Sequence, residues 1–286
     1  MFGFLNVYKP KGLTSHDVVA RLRRITKIKQ IGHTGTLDPF AQGVLPICIG
    51  KATRLIEYLA DDKAYEGIIQ FGSSTTTYDT EGEVVNSSEK RVTRETVELA
   101  LENFRGEIEQ KPPIYSAIKK DGKKLYEYAR NGEFVEVPTR LVTIYKLNLL
   151  DFDEEKQQAR VYIECSKGTY IRSIANDLGE TLGVYGHLCE LIRVKAGRFM
   201  LAESCGLDNL DESQVRNNLI NPLEILELQE FNVGEKDLPR IKNGVALVAD
   251  SNLTEGEFVV LKYEENLVSV ARVENAKLVQ KKVFID

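Results

Sequence analysis

The first apolar run, FGFLNVYK at residues 2–9, is bounded by Pro10 and Gly12 and predicts a short strand. Beyond it Val18, Val19, Leu22 and Ile25 recur at helical spacing with Arg21, Arg24 and Lys27 between them. A helix follows there, with Ser15 as its N-cap, Asp17 in its first turn and its charges outward. Residues 31–50 break that period: glycines at 32, 35, 43 and 50 and prolines at 39 and 46 predict a tightly shaped loop, closed by a buried strand over 44–49. A second helix is expected over 51–59 and a strand over 64–71. Residues 73–88 read as loop with hairpin character, and Thr93 caps a helix running to about 104. Residues 105–140 predict an exposed excursion with a short helix at 125–130. Alternation over 139–149 and 158–165 predicts a hairpin across the acidic turn DFDEEKQ. Ile171, Ile174, Ala175 and Leu178 then give the buried face of a helix closed by Gly183, and 187–198 reads as a strand. After a boundary near 230–240, apolar runs at 245–249, 258–263, 267–273 and 277–284 predict a small β unit that must lean on the main domain.

Composition narrows this picture. A chain of 286 residues, 42% apolar and 28% charged, fits one large packed unit with a smaller appendage. Cys48, Cys165, Cys189 and Cys205 form no CxxC pair, so reduced thiols and a cytoplasmic address are expected rather than a disulfide framework or structural zinc. The apolar run at 2–8 is too short for a signal peptide, and no segment approaches the roughly 18 apolar residues of a membrane span. The net charge of −5 argues weakly against nucleic acid, but it hides an asymmetry. Residues 1–60 carry nine basic and three acidic side chains, a balance of +6, which leaves −11 elsewhere. That block is either an ordinary solvated face or a surface for a polyanion.

Chemistry-bearing motifs are few. The three histidines stand in no metal-ligand spacing, which disfavours metal catalysis. GHTGTLDP lacks the Walker ending and the GxGxxG spacing, and no GxSxG elbow occurs. Asp38 stands out in that glycine, threonine and proline loop, either capping the turn before Pro39 or presented as a rigidly held carboxylate. In SKGTYIR, Lys167, Tyr170 and Arg172 gather at a strand-to-helix junction. Arg172 would be the natural carboxylate partner there; the alternative is a core Tyr170 and a surface Arg172.

Taken together, KPKGLTS at 9–15, GHTGTLDPFAQGVLPICIGKATR at 32–54, KAYEG at 63–67, KPPIYSAIKKDGKKLYEYARNG at 111–132, CSKGTYIRSIANDLG at 165–179 and HLCELIRVKAGRF at 187–199 cover nearly the whole chain. In these motifs the chain resembles the bacterial TruB family, the tRNA pseudouridine synthases that modify uridine 55 of the TΨC loop. The resemblance implies a mixed α/β (α+β) pseudouridine synthase fold with a mainly antiparallel central sheet. It implies a catalytic domain over 1–232 with an RNA-gripping insertion at about 105–140, and a PUA-like RNA-binding domain over 233–286. By motif, Asp38 matches the catalytic aspartate, Tyr65 the tyrosine stacked on the target base and Arg172 the arginine paired with the carboxylate. Tyr170 matches the pocket wall and His33 the histidine that holds flipped loop nucleotides. Lys9 and Pro10 match a buttressing pair, and Lys167 is assigned a supporting part. The implied partner is the tRNA T-arm stem-loop, bound by a monomer with no obligate protein partner, no cofactor and no metal.

The chemistry is consistent with these roles. The isomerisation breaks C1′–N1 and makes C1′–C5 without redox change, so a carboxylate suffices. Asp38 either attacks C1′ or takes a proton from C2′, and an ion pair with Arg172 would keep it charged and aimed. Two rivals remain at this stage: a non-catalytic tRNA-binding or folding factor, and a related synthase acting on another uridine.

Overall fold

The computed structural model describes all residues except 117, 209 and 286. Its centre is a ten-stranded, mainly antiparallel sheet. Across it run Cys205–Gly206, Gly3–Lys9, Gln42–Ile49, Gly186–Ala196, Lys63–Phe71, Gln158–Cys165, Arg140–Asp153 and Gly106–Gln110, with the short Ile31–His33 and Phe199–Met200 alongside. Two neighbours are parallel: Cys205–Gly206 beside Gly3–Lys9, and Gly186–Ala196 beside Gln42–Ile49.

The strands Gly3–Lys9 and Gln42–Ile49 are mostly apolar and buried nearly throughout, because both faces are covered. Leu5, Val7, Leu45, Ile47 and Ile49 join the core under the helices, while Phe4, Val44 and Cys48 join a second core shared with Val260, Val270 and Phe284 of the C-terminal unit. Each such side chain contributes about 1.5–3 kcal/mol by leaving water. The C-terminal unit is a five-stranded sheet ordered Gln229–Asn232, Phe258–Tyr263, Asn266–Glu274, Lys277–Val283 and Leu247–Val248. It leans on the main sheet as its size requires: Phe2 stacks on Phe284 at 5.4 Å, and Lys51 and Arg54 donate to the carbonyls of Phe284 and Val283. Its first strand, Gln229–Asn232, starts before residue 233, where the second domain was expected to begin.

Several local expectations shift. The helix Ser15–Thr26 is capped by Thr14, not Ser15: the Thr14 hydroxyl accepts from the Asp17 N–H and the Asp17 carboxylate reaches back to Thr14 N–H. Ser15 is thereby freed to turn inward. The helix expected over 51–59 is present as a 3-10 helix, Gly50–Tyr58. Two strands replace expected loop, Ile31–His33 and Gly106–Gln110; the second pairs with Arg140 to Ile144 at the sheet edge, so the excursion proper begins after Gln110. The hairpin Arg140–Asp153 with Gln158–Cys165 and the helix Ile171–Thr181 are as expected. No helix among the described residues is long and apolar enough to cross a membrane.

The +6 block is not one free face. Lys9 is buried, Arg21 pairs with Asp208, Arg23 donates to the Ile31 carbonyl, and Lys51 and Arg54 hold the C-terminal unit.

Candidate active site

The loop after the strand Ile31–His33 carries Asp38, and buried groups hold it from three sides. Ser15 Oγ donates to the Leu37 carbonyl at 3.0 Å and accepts from the Leu37 N–H at 2.8 Å. Beneath the loop, fully buried Lys9 donates from Nζ to the carbonyls of Leu13 at 2.7 Å, Pro10 at 3.0 Å and Pro39 at 3.4 Å. Burial pushes the Lys9 amine down to about 8, against the pull of Asp38 that raises it. Arg193, also fully buried, donates to Val44 at 2.7 Å, Gly35 at 3.1 Å and Thr36 at 3.2 Å. A planar donor fork can serve three carbonyls at once, as a lysine cannot. Gly43 makes room for this strand: its φ is +108°, and a methyl group there would lie 2.3 Å from the Arg193 carbonyl oxygen.

Asp38 faces Arg172. Its Oδ2 lies 2.9 Å from Arg172 Nε, and Arg172 Nη1 lies 3.3 Å from Oδ2 of Asp79. The Asp38 contact is an ion pair rather than an aligned hydrogen bond, so the Nε–H still has a bond to make. Asp79 is buried and held by the Thr77 hydroxyl at 2.5 Å and the Glu81 N–H at 2.9 Å; Arg172 also donates to the carbonyls of Thr77 and Tyr115. Arg172 therefore bridges an inner and an outer carboxylate, and its orientation is over-determined.

A cavity of about 580 Å³ opens on Asp38 and is walled by Tyr65, Tyr170, Arg172, Lys63 and Leu191, with Tyr115, Ser116, Tyr126 and Arg130 from the excursion closing one side. That volume lies within the range of ligand-binding pockets. Tyr65 lies in the strand Lys63–Phe71 between Ile163 and Arg193. Burial pushes the pKa of its hydroxyl up and so disfavours ionisation, and the neighbouring Arg193 guanidinium opposes that shift. Tyr170 caps the helix Ile171–Thr181. Buried Gln110 reads its backbone, accepting from its N–H at 2.8 Å and donating to its carbonyl at 3.0 Å.

The structure brings Asp38, Tyr65, Tyr170 and Arg172 to one cavity, with Lys9 and Pro10 beneath it. It does not bring Lys167 there: that side chain is exposed and paired with Asp61 at 2.5 Å. His33 lies outside the cavity wall, half-buried with its Nδ1 unbonded, and burial lowers its protonation. Asp79, Arg193, Gln110 and Ser15 were missed by sequence reasoning. Among the described residues no three of His, Cys, Asp and Glu come close enough to hold a metal ion.

This geometry coincides with the matched segments of known proteins. The model of the TruB family pseudouridylate synthase N-terminal domain matches residues 23–171, and that of the tRNA pseudouridylate synthase B C-terminal domain matches residues 172–226. The chain belongs to the TruB family of pseudouridylate synthases. It is 44% identical over 273 residues to the tRNA pseudouridine synthase B of Geobacillus thermodenitrificans, covering 91% of this chain and 90% of that one. It is 41% identical over 283 residues to the enzyme of that name from Bacillus anthracis, covering 94% and 92%. Among solved structures, an H/ACA ribonucleoprotein bound to a substrate RNA containing 2′-deoxyuridine is similar at TM-score 0.73 and 23% identity, covering 100% of this chain and 86% of that one. The chain thus has the pseudouridine synthase fold with a PUA-like C-terminal β unit, and it is a pseudouridine synthase of the isomerase class.

Proposed function

We propose that this enzyme converts uridine 55 in the T-loop of tRNA to pseudouridine, with Asp38 as the reacting carboxylate and the target nucleotide flipped into the cavity. The observation that carries the reading is the Asp38–Arg172–Asp79 array at the cavity of Tyr65 and Tyr170. The names of the bacterial relatives support tRNA as the substrate.

Asp38 attacks C1′ or abstracts the C2′ proton; by either route the C1′–N1 electron pair leaves with the base. Arg172 aims the carboxylate and holds its charge until then. Tyr65 stacks on the detached base and takes part in moving the C5 proton once C5 has bonded to C1′, while N1 gains a proton. Tyr170 and Leu191 keep water out. Flipping costs a few kcal/mol of stacking, which aromatic contacts and basic side chains of the excursion, such as Arg130, offset. We place His33 among the RNA-loop contacts outside the cavity, Lys9 and Pro10 under the catalytic loop, and the domain division between Leu226 and Gln229.

The test is tritium release from uridine-labelled T-arm RNA. Asp38→Asn should bind the RNA and release no tritium; near-normal turnover by that variant would overturn the assignment.

A further inference from the structure

Three lysines stand around the entrance edge of the sheet, and two of them are neutralised. Lys167 pairs with Asp61 at 2.5 Å, and Lys195 pairs with Asp62 at 2.7 Å and Glu164 at 3.2 Å. These pairs occupy the carboxylates flanking Lys63. Lys63 is left with a main-chain acceptor, the Asp61 carbonyl at 3.0 Å, and no ion pair among the described residues. It is half-buried and forms part of the cavity wall with Asp38 and Tyr65. Its amine lies against the catalytic loop: a methyl group at Gly35 would be 3.3 Å from Lys63 Cε and 3.9 Å from Nζ. Beside it the buried Arg193 guanidinium carries a second charge, bonded to the carbonyls of Val44, Thr36 and Gly35.

A half-buried, unpaired cation is costly unless an anion arrives. Burial and Arg193 disfavour its protonation, with Asp61, Asp62 and Cys165 opposing them, and negative charge appearing in the cavity would favour the charged form further. The proposed reaction creates that charge. In the resting state the carboxylate that faces the cavity is Asp38, which shares the Arg172 guanidinium with the buried Asp79. When C1′–N1 breaks, its electron pair leaves with N1. Asp38 becomes an ester or a protonated acid, and the charge passes to the uracil ring. The cation of the same cavity that no carboxylate pairs, and that can follow it, is Lys63. Arg130, the remaining cation of the wall, is exposed at the mouth and suits a phosphate.

We propose that Lys63 is a catalytic residue of this site, stabilising the anionic uracil between breakage of C1′–N1 and formation of C1′–C5, with Arg193 reinforcing its field from beside it. The inference rests on the function proposed above.

The experiment is single-turnover conversion of T-arm RNA by Lys63→Met and Lys63→Arg, alongside RNA binding over a range of salt. Lys63→Met should lower the rate at saturating enzyme by about 100-fold, the scale of losing one preorganised charge, with RNA affinity and salt slope unchanged. Lys63→Arg should recover much of the rate. The wild-type rate should fall at alkaline pH as the amine loses its proton, and that limb should be absent from Lys63→Met. An unchanged saturating rate overturns the proposal, as does a loss confined to affinity with a salt slope reduced by about one, the mark of a phosphate contact. Absence of product from the wild-type chain would instead overturn the function itself. A circular dichroism melt separates misfolding; if Lys63→Met fails to fold, Lys63→Gln takes its place.

Discussion

Replacing Arg172 with methionine strips the array of its only cation and leaves two carboxylates behind. Asp38 is 35% exposed at its side chain and can be hydrated, so its share of the loss is about 0–1 kcal/mol. Asp79, 3% exposed, cannot. Removing one partner of a buried pair typically costs about 3–5 kcal/mol, because the surviving charge has lost its counterion. The Thr77 hydroxyl and Glu81 N–H still serve Asp79, which places the expected loss near the lower end, about 3 kcal/mol, or roughly 10 °C in Tm. Adding Asp79→Asn removes the stranded charge while keeping a side chain of the same shape. The double variant should therefore recover about 2 kcal/mol relative to Arg172→Met. Urea unfolding followed by circular dichroism measures the cycle, and tritium release measures activity in parallel. The double variant should fold well and remain inactive, which separates support of the fold from aiming of Asp38. Additive losses, or a single-variant loss under about 1 kcal/mol, would refute a buried bridge between the two acids.

Other consequences follow from the same contacts. Asp38→Asn should keep the wild-type Tm and lose activity by about four orders of magnitude or more, as removal of a sole reacting group does. Lys9 titrates near 8 in the fold against 10.5 unfolded, so the unfolded chain binds the extra proton between those values. Stability from this group is lowest below about pH 8 and is regained as pH rises toward about 10.5; the difference in urea midpoint between wild type and Lys9→Met should track that window, by a few kcal/mol at most. Gly43→Ala should destabilise by about 3 kcal/mol or more, or prevent soluble expression, because its methyl collides with the Arg193 backbone and its φ is left-handed. Arg193→Lys should retain the fold, with turnover falling more than RNA affinity, since one amine cannot hold Gly35, Thr36 and Val44 together.

What the chain disclosed about itself divides along contact range. The hairpin 140–165 and the helix from Ile171 are local, set by alternation, an acidic turn and a helical period, and they were legible. Asp38 and Arg172 were legible as chemistry, but their pairing joins distant parts of the chain: a carboxylate partner was one of two readings of Arg172, and the resemblance chose between them. Asp79 lay hidden in the polar stretch STTTYDTEGE, where an aspartate among threonines and a glycine reads as turn. Arg193 was hidden by alternation: in LIRVK a cation beside apolar residues looks like a solvent-facing strand position, yet its side chain is the largest one fully buried. Ser15 and Thr14 are adjacent capping residues; only the reciprocal Asp17 at N3 distinguishes Thr14, and that spacing could have been found. The strand Gly106–Gln110 is polar at its sheet edge and shows no apolar alternation to betray it.

The most direct test of the central claim is to map the product. Catalytic amounts of the purified chain are incubated with excess unmodified tRNA transcript, and pseudouridine is located by mass spectrometry of nuclease fragments. The account predicts many turnovers and a single pseudouridine at position 55, absent with Asp38→Asn. Stoichiometric binding without product, or modification at a different uridine, would contradict it.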